Sequence, residues 1–137
     1  MKRPVRHIAT VALVVRDYDE AAAWYCEKLG FRLSEDFDLG GGKRWVTLAP
    51  GDRKGVNLLL ARAEGERQAS RIGDQTGGRV FLFLQTDDFH RDHAAMLEKS
   101  VDFREKPRVE PYGTVAVFAD LYGNLWDLIE PASGERH

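Results

Sequence analysis

The chain carries one order of elements twice, and this duplication limits what it can fold into. Residues 8–15 (IATVALVV) form an apolar, β-branched run whose counterpart is residues 79–86 (RVFLFLQT). Each run is followed by acidic residues suited to capping a helix, Asp17 or Asp19 in the first case and Asp87-Asp88 in the second, and then by a helical pattern. Thr10 and Phe81 stand 71 residues apart, as do Asp17 and Asp88, while Asn57 and Asp127 stand 70 apart. A period this long marks a half-domain rather than a solenoid unit. A half-domain alone leaves one sheet face open, so two copies must combine around a shared surface.

Each copy reads as β-α-β-β-β. In the first strand, Val11, Leu13 and Val15 share one face and suit a packed helix, whereas Thr10, Ala12 and Val14 share the other and suit a cavity wall. The helix spans about residues 19–29, with Trp24 and Tyr25 as its main buried surface, and Gly30 stops it. Strands follow at 31–38, 43–49 and 56–61, with the triple glycine 40–42 as a loop tip. Residues 64–78 are polar and read as a linker or mobile loop rather than a packed element. The second copy adds a helix at 89–99, a strand at 101–105, an extended loop at 107–112 and a closing hairpin within 114–131 that turns at Gly123-Asn124. Residues 1–137 are thus one domain, with module one at about 7–62, a polar linker at about 63–78 and module two at about 79–131.

Charge and cysteine content narrow the function classes. Twenty basic against 22 acidic residues give a net charge of −2, which argues against nucleic acid or an anionic membrane as partner. No apolar run reaches membrane-spanning length. The single cysteine, Cys26, rules out a disulfide within the chain and favours a reducing, cytoplasmic setting; it reads as a structural thiol. No Walker-type phosphate loop and no G-x-S-x-G elbow is present.

The oddity is Asp127, a carboxylate inside the apolar strand LWDLIE. In a half-buried strand it must bind something, pair with something, or face water in a cleft. Asn57 is a similar lone polar residue in VNLLLA.

The stretches ATVALVVRDYDEAAAWYCEKLGF, GGRVFLFLQTDDF and YGTVAVFADLYGNLWDLIEP resemble the vicinal oxygen chelate superfamily, across about residues 7–131. That superfamily includes glyoxalase I, extradiol dioxygenases, fosfomycin-resistance enzymes and bleomycin-resistance proteins. The resemblance implies an α+β fold of two tandem βαβββ modules forming a cup-shaped mixed sheet with the helices outside. It also implies that metal-using relatives place ligands in the cup at the positions held here by Thr10, Asn57, Phe81 and Asp127. Relatives carry His or Gln, Glu or His, His, and Glu there. A catalytic metal needs about three imidazole, carboxylate or thiolate ligands, and only Asp127 qualifies. His7 points away by parity, His90 and His93 lie on a helix outside the cup, and His137 is terminal. No metal ligand set and no cofactor is therefore expected.

Thr10, Asn57, Gln85 and Asp127 remain as polar points in an apolar cup that also takes in Phe81 and Phe83, with Arg44, Trp45 and Tyr112 as stacking and anion contacts. The primary expectation is a glyoxalase/bleomycin-resistance-like protein that binds a small organic molecule, as a homodimer with cups at or near the interface. Alternatives are a metal-dependent lyase, isomerase or dioxygenase of the glyoxalase I type, a metal-free enzyme with Asp127 as catalytic general base, and a structural dimer with a filled cup.

Overall fold

A computed structural model describes residues 2–52 and 54–133; His137 lies outside them. The α+β class and the duplicated module are as expected from the sequence. Module one runs β1 (Thr10–Val15), α1 (Tyr18–Leu29), β2 (Arg32–Gly40), β3 (Lys43–Ala49) and β4 (Asn57–Arg62). A short helix, α2 (Gly65–Ala69), lies in the connection. Module two runs β5 (Val80–Gln85), α3 (Phe89–Glu98), β6 (Asp102–Phe103), β7 (Arg108–Glu110), β8 (Gly113–Ala119) and β9 (Leu125–Pro131). The strands form two sheets, ordered β1-β4-β3-β2 and β5-β9-β8-β6, with β7 also paired to β8. In each sheet the first strand lies parallel to the last, which puts Thr10 beside Asn57 and Phe83 beside Asp127.

The helices start and stop where the residues dictate. Asp17 rather than Asp19 caps α1, its carboxylate accepting the Glu20 N–H at 2.7 Å, and Asp88 caps α3 through the Arg91 N–H at 3.1 Å. Gly30 ends α1 with φ at 72°, a conformation that suits glycine. Tyr25 is fully buried while Trp24 is partly buried against the core, so the helix face turns on Tyr25 more than the sequence suggests.

One core serves both modules. Leu13, Val15, Leu58 and Leu60 of the first sheet join Phe118, Trp126 and Leu128 of the second in a single buried cluster. The joint is aromatic: the Trp126 ring lies 5.7 Å from Tyr25, 6.0 Å from Phe31 and 6.1 Å from Phe118. Hydrogen bonds fix it. The Tyr25 hydroxyl donates to Asp120 Oδ2 at 2.6 Å and accepts the Trp126 indole N–H at 3.1 Å. Asp120 also accepts the Tyr122 and Asn124 backbone N–H groups and the Asn124 amide, which builds the turn between β8 and β9.

The connection between modules differs from the expected linker or mobile loop. Beyond α2, it grips both modules through Gln75. The Gln75 side chain accepts the Val14 N–H and donates to the Ala12 carbonyl, standing in for a strand neighbour on the open edge of β1. Its own N–H donates to Asn124 of module two. Gly73, with φ at 80°, passes so close to Tyr122 that a Cβ there would sit 2.1 Å from the Tyr122 carbonyl oxygen. Polar composition misleads because the segment packs through amides and glycines rather than apolar side chains.

Tyr25→Phe strips the buried Trp126 indole N–H of its acceptor and Asp120 of a donor. A loss of about 1–3 kcal/mol in unfolding free energy is expected, with the fold retained. Urea denaturation checks this, and an unchanged midpoint would show that the joint does not depend on the hydroxyl.

Candidate functional site

Strand alternation gives each sheet a second face, turned away from the shared core. On module one this face carries Thr10 and Ala12 of β1, Asn57 and Leu59 of β4, Trp45 and Thr47 of β3, and Glu35 and Phe37 of β2. Trp45 pairs with Phe37 across the strands and is 37% exposed. Its indole N–H and the Thr47 hydroxyl both donate to Glu35 Oε1 at 3.1 Å. A cavity of about 830 Å3 opens on the same module, walled by Thr10, Asn57, Glu35, Arg32, Lys54 and His7, among others.

The matching face of module two carries Phe83 and Gln85 of β5, Asp127 and Ile129 of β9, and Val115 and Val117 of β8. Asp127 is 6% exposed, whereas Phe83 beside it is 64% exposed. The Asp127 Oδ1 atom is buried and has no hydrogen-bond partner among the described residues. Burial pushes the Asp127 carboxyl above the usual carboxylate range, the Arg108 charge opposes that shift and the Glu105 charge adds to it. Arg108 donates to Glu105 at 3.0 Å and to the Tyr112 hydroxyl at 3.1 Å rather than to Asp127. Glu105 also accepts the Val117 N–H at 3.1 Å, filling the gap in the sheet edge between β6 and β7.

Two of the residues expected in the cup stand elsewhere. The register of β5 on β9 shifts between Val80 and Leu82, and the Phe81 ring packs against the core, 6.0 Å from Trp126. A bulge of this kind reverses the facing of neighbouring side chains, so period-two parity fails at Phe81 while it holds for Phe83. Arg44 lies on the opposite face of β3 from Trp45. It bonds Asp36 at 2.8 Å and Asp19 of α1 at 3.0 Å, and its guanidinium lies 5.2 Å from the Tyr18 ring centre. Those acids draw Arg44 away from the role of an anion contact in the cup. Tyr112, 46% exposed, lies beside Arg108 at the β7–β8 turn.

The residues that sequence reasoning missed are Glu35, Glu105 and Arg108. Glu35 and Phe37 carry a period-two signal in β2, which runs opposite the Trp45–Thr47 pair in β3. Glu105 and Arg108 carry none, since their placement follows from a break in the edge strand. Of the histidines, His7 borders the module-one cavity, and His93 of α3 stacks on Phe89 and meets Phe103 of β6 edge-on, where burial and His90 lower its pKa.

The four positions where metal-using relatives hold an ion do not fit one here. Phe81 has no donor atom and faces the core, and Thr10 and Asn57 are neutral oxygen or amide groups. Among the described residues no three of His, Cys, Asp or Glu gather closely enough to hold an ion. No described helix is long and apolar enough to cross a membrane.

Comparison with known proteins bears on the family and the fold. An uncharacterized protein of Shewanella frigidimarina (strain NCIMB 400) is 53% identical over 131 residues, covering 95% of each chain. Among solved structures, UcmS2 superposes with a TM-score of 0.79 at 30% identity, over 90% of this chain and 97% of that one. TnmS3, an antibiotic binding protein from Streptomyces sp. CB03234, gives 0.76 at 28% identity, over 96% of this chain and all of that one. The Glyoxalase/Bleomycin resistance protein/Dioxygenase superfamily model matches residues 7–128, and the chain belongs to that superfamily.

Proposed function

We propose that this protein binds a small organic molecule, of the kind its antibiotic-binding relative takes, in a cup that two copies of the chain complete together. The observation that carries the reading is the Asp127 carboxyl, buried beside Phe83 with Oδ1 unpartnered among the described residues. A buried acceptor left without a donor is costly, so a ligand that supplies an N–H or O–H there gains what the empty site lacks. Asp127 acts as the polar anchor and Phe83 as the apolar wall. Trp45, Phe37 and Thr47, with Thr10 and Asn57, form the facing wall from the partner's module one. The exposed rings of Trp45, Phe37, Phe83 and Tyr112 support this closure, because aromatic side chains concentrate in the centres of interfaces and in ligand pockets. The setting is cytoplasmic, in keeping with a lone Cys26.

Two outcomes test the reading. In light scattering after size exclusion the protein should run as a dimer, and a thermal-shift screen of antibiotics and other small organic molecules should find a stabiliser. At about 100 times its Kd such a ligand adds about 2.7 kcal/mol, and Asp127→Ala or Trp45→Ala should erase the gain. A monomer, or a ligand indifferent to both substitutions, would overturn the cup.

A third test concerns pH without ligand. The folded Asp127 carboxyl holds its proton to higher pH than the unfolded one, whose pKa is about 3.9. The folded chain therefore binds more protons between the two values, and this contribution is full below the unfolded pKa and lost as pH rises through the raised folded value. Asp127→Asn removes that loss. The variant should be the more stable protein at pH 7 and should converge on the parent toward pH 4, as read by chemical denaturation across that range. A variant that is equally destabilised at every pH would show that Asp127 has a structural partner.

A further inference from the structure

The module-one cavity adjoins a second cavity of opposite character. The second encloses about 330 Å3 where the modules meet, and its wall includes Val11, Phe31, Leu58, Leu82, Leu84 and Trp126. It holds no charged side chain, and Asn57 is its one polar residue. The first cavity, about 830 Å3, has Arg32, Lys54 and His7 in its wall. Ile8, Val56 and Asn57 line both, so the polar and the apolar space border one another at these three residues. Both volumes are of the order that small-molecule sites occupy, about 300–1,000 Å3.

The charges at the polar end are open to an anion. Among the described residues Lys54 has no ion-pair partner within 4.0 Å, and Arg32 meets Asp52 only at 3.9 Å with both side chains largely exposed. The other acid in that wall, Glu35, is engaged by Trp45 and Thr47. An exposed pair as long as Arg32–Asp52 holds its members weakly, and a guanidinium exchanges it readily for a carboxylate met two-pronged. The apolar end offers a ligand removal of hydrocarbon from water and nothing else.

We propose that the two cavities together bind one amphipathic anion, a carboxylate at Arg32 and Lys54 with its hydrocarbon body between the modules. This rests on reading module one's outer face as a ligand surface, but it does not use Asp127. Ile8, 74% exposed, stands where the head passes into the body.

Isothermal titration of the intact protein with decanoate, decan-1-ol and decylamine below their micelle concentrations tests the assignment. Decanoate should bind saturably and about ten-fold more tightly than decan-1-ol, the size of one charge-assisted hydrogen-bonded pair. The combined variant Arg32→Gln/Lys54→Gln should bring decanoate down to the alcohol's affinity and leave the alcohol unchanged. Ile8→Glu, at an exposed position that folding tolerates, should weaken decanoate by a similar factor. Asp127→Asn should leave decanoate binding intact. No saturable binding, equal affinity for the three head groups, or indifference to Arg32→Gln/Lys54→Gln would overturn the proposal. Loss of decanoate binding in Asp127→Asn would place the anion in the cup, refuting this proposal while the cup stands.

Discussion

The carboxylate of Asp120 ties the molecule together. It is buried, and four donors reach it: the Tyr25 hydroxyl, the Tyr122 and Asn124 backbone N–H groups, and the Asn124 amide. A buried charge is tolerated only with such a set, and here the set also does structural work. Three donors close the β8–β9 turn, and the fourth comes from α1 of the other module. Through Tyr25 the same site holds the Trp126 indole, and through Trp126 the aromatic core that both modules share. Seven positions further on, Asp127 lies in the same hairpin with a buried oxygen that nothing described satisfies. The contrast between the two aspartates separates the part of the hairpin that holds the fold from the part that carries the proposed ligand anchor.

Much of the fold was legible in the residues because it rests on local rules. Asp17, Asp88 and Gly30 mark helix ends by capping chemistry, and period-two alternation sorts Leu13 and Val15 from Thr10 and Ala12. The duplication supplied the element order. What stayed hidden depends on through-space partners. The slip in register that turns Phe81 inward has no marker in RVFLFLQ, and Arg44 is claimed by Asp19, an acid 25 residues earlier. The segment containing Gln75 hides for a different reason. Its packing is made of hydrogen bonds to backbone atoms, which leave no hydrophobic pattern to read.

The candidate site was legible in the same uneven way. Asp127 stands out because a carboxylate among Leu, Trp and Ile is improbable without a cause, and the structure supplies one in a buried, unpartnered oxygen. Glu105 and Arg108, which set the field around it, became visible only once the broken edge strand was in place. The donor set that separates metal-using relatives from this chain is, by contrast, a matter of residue identity. Phe81 alone removes one ligand whatever its orientation.

The hold of Gln75 on β1 has an evolutionary side. Surface connections usually drift freely in length, since adding a residue to a loop costs little. Here one side chain must meet both the Val14 N–H and the Ala12 carbonyl while its backbone meets Asn124, with Gly73 passing against Tyr122. An insertion between Gly73 and Gln75 would separate the two grips. That stretch of the connection is therefore among the least free to change length, and a half-domain duplication secured in this way resists being taken apart again.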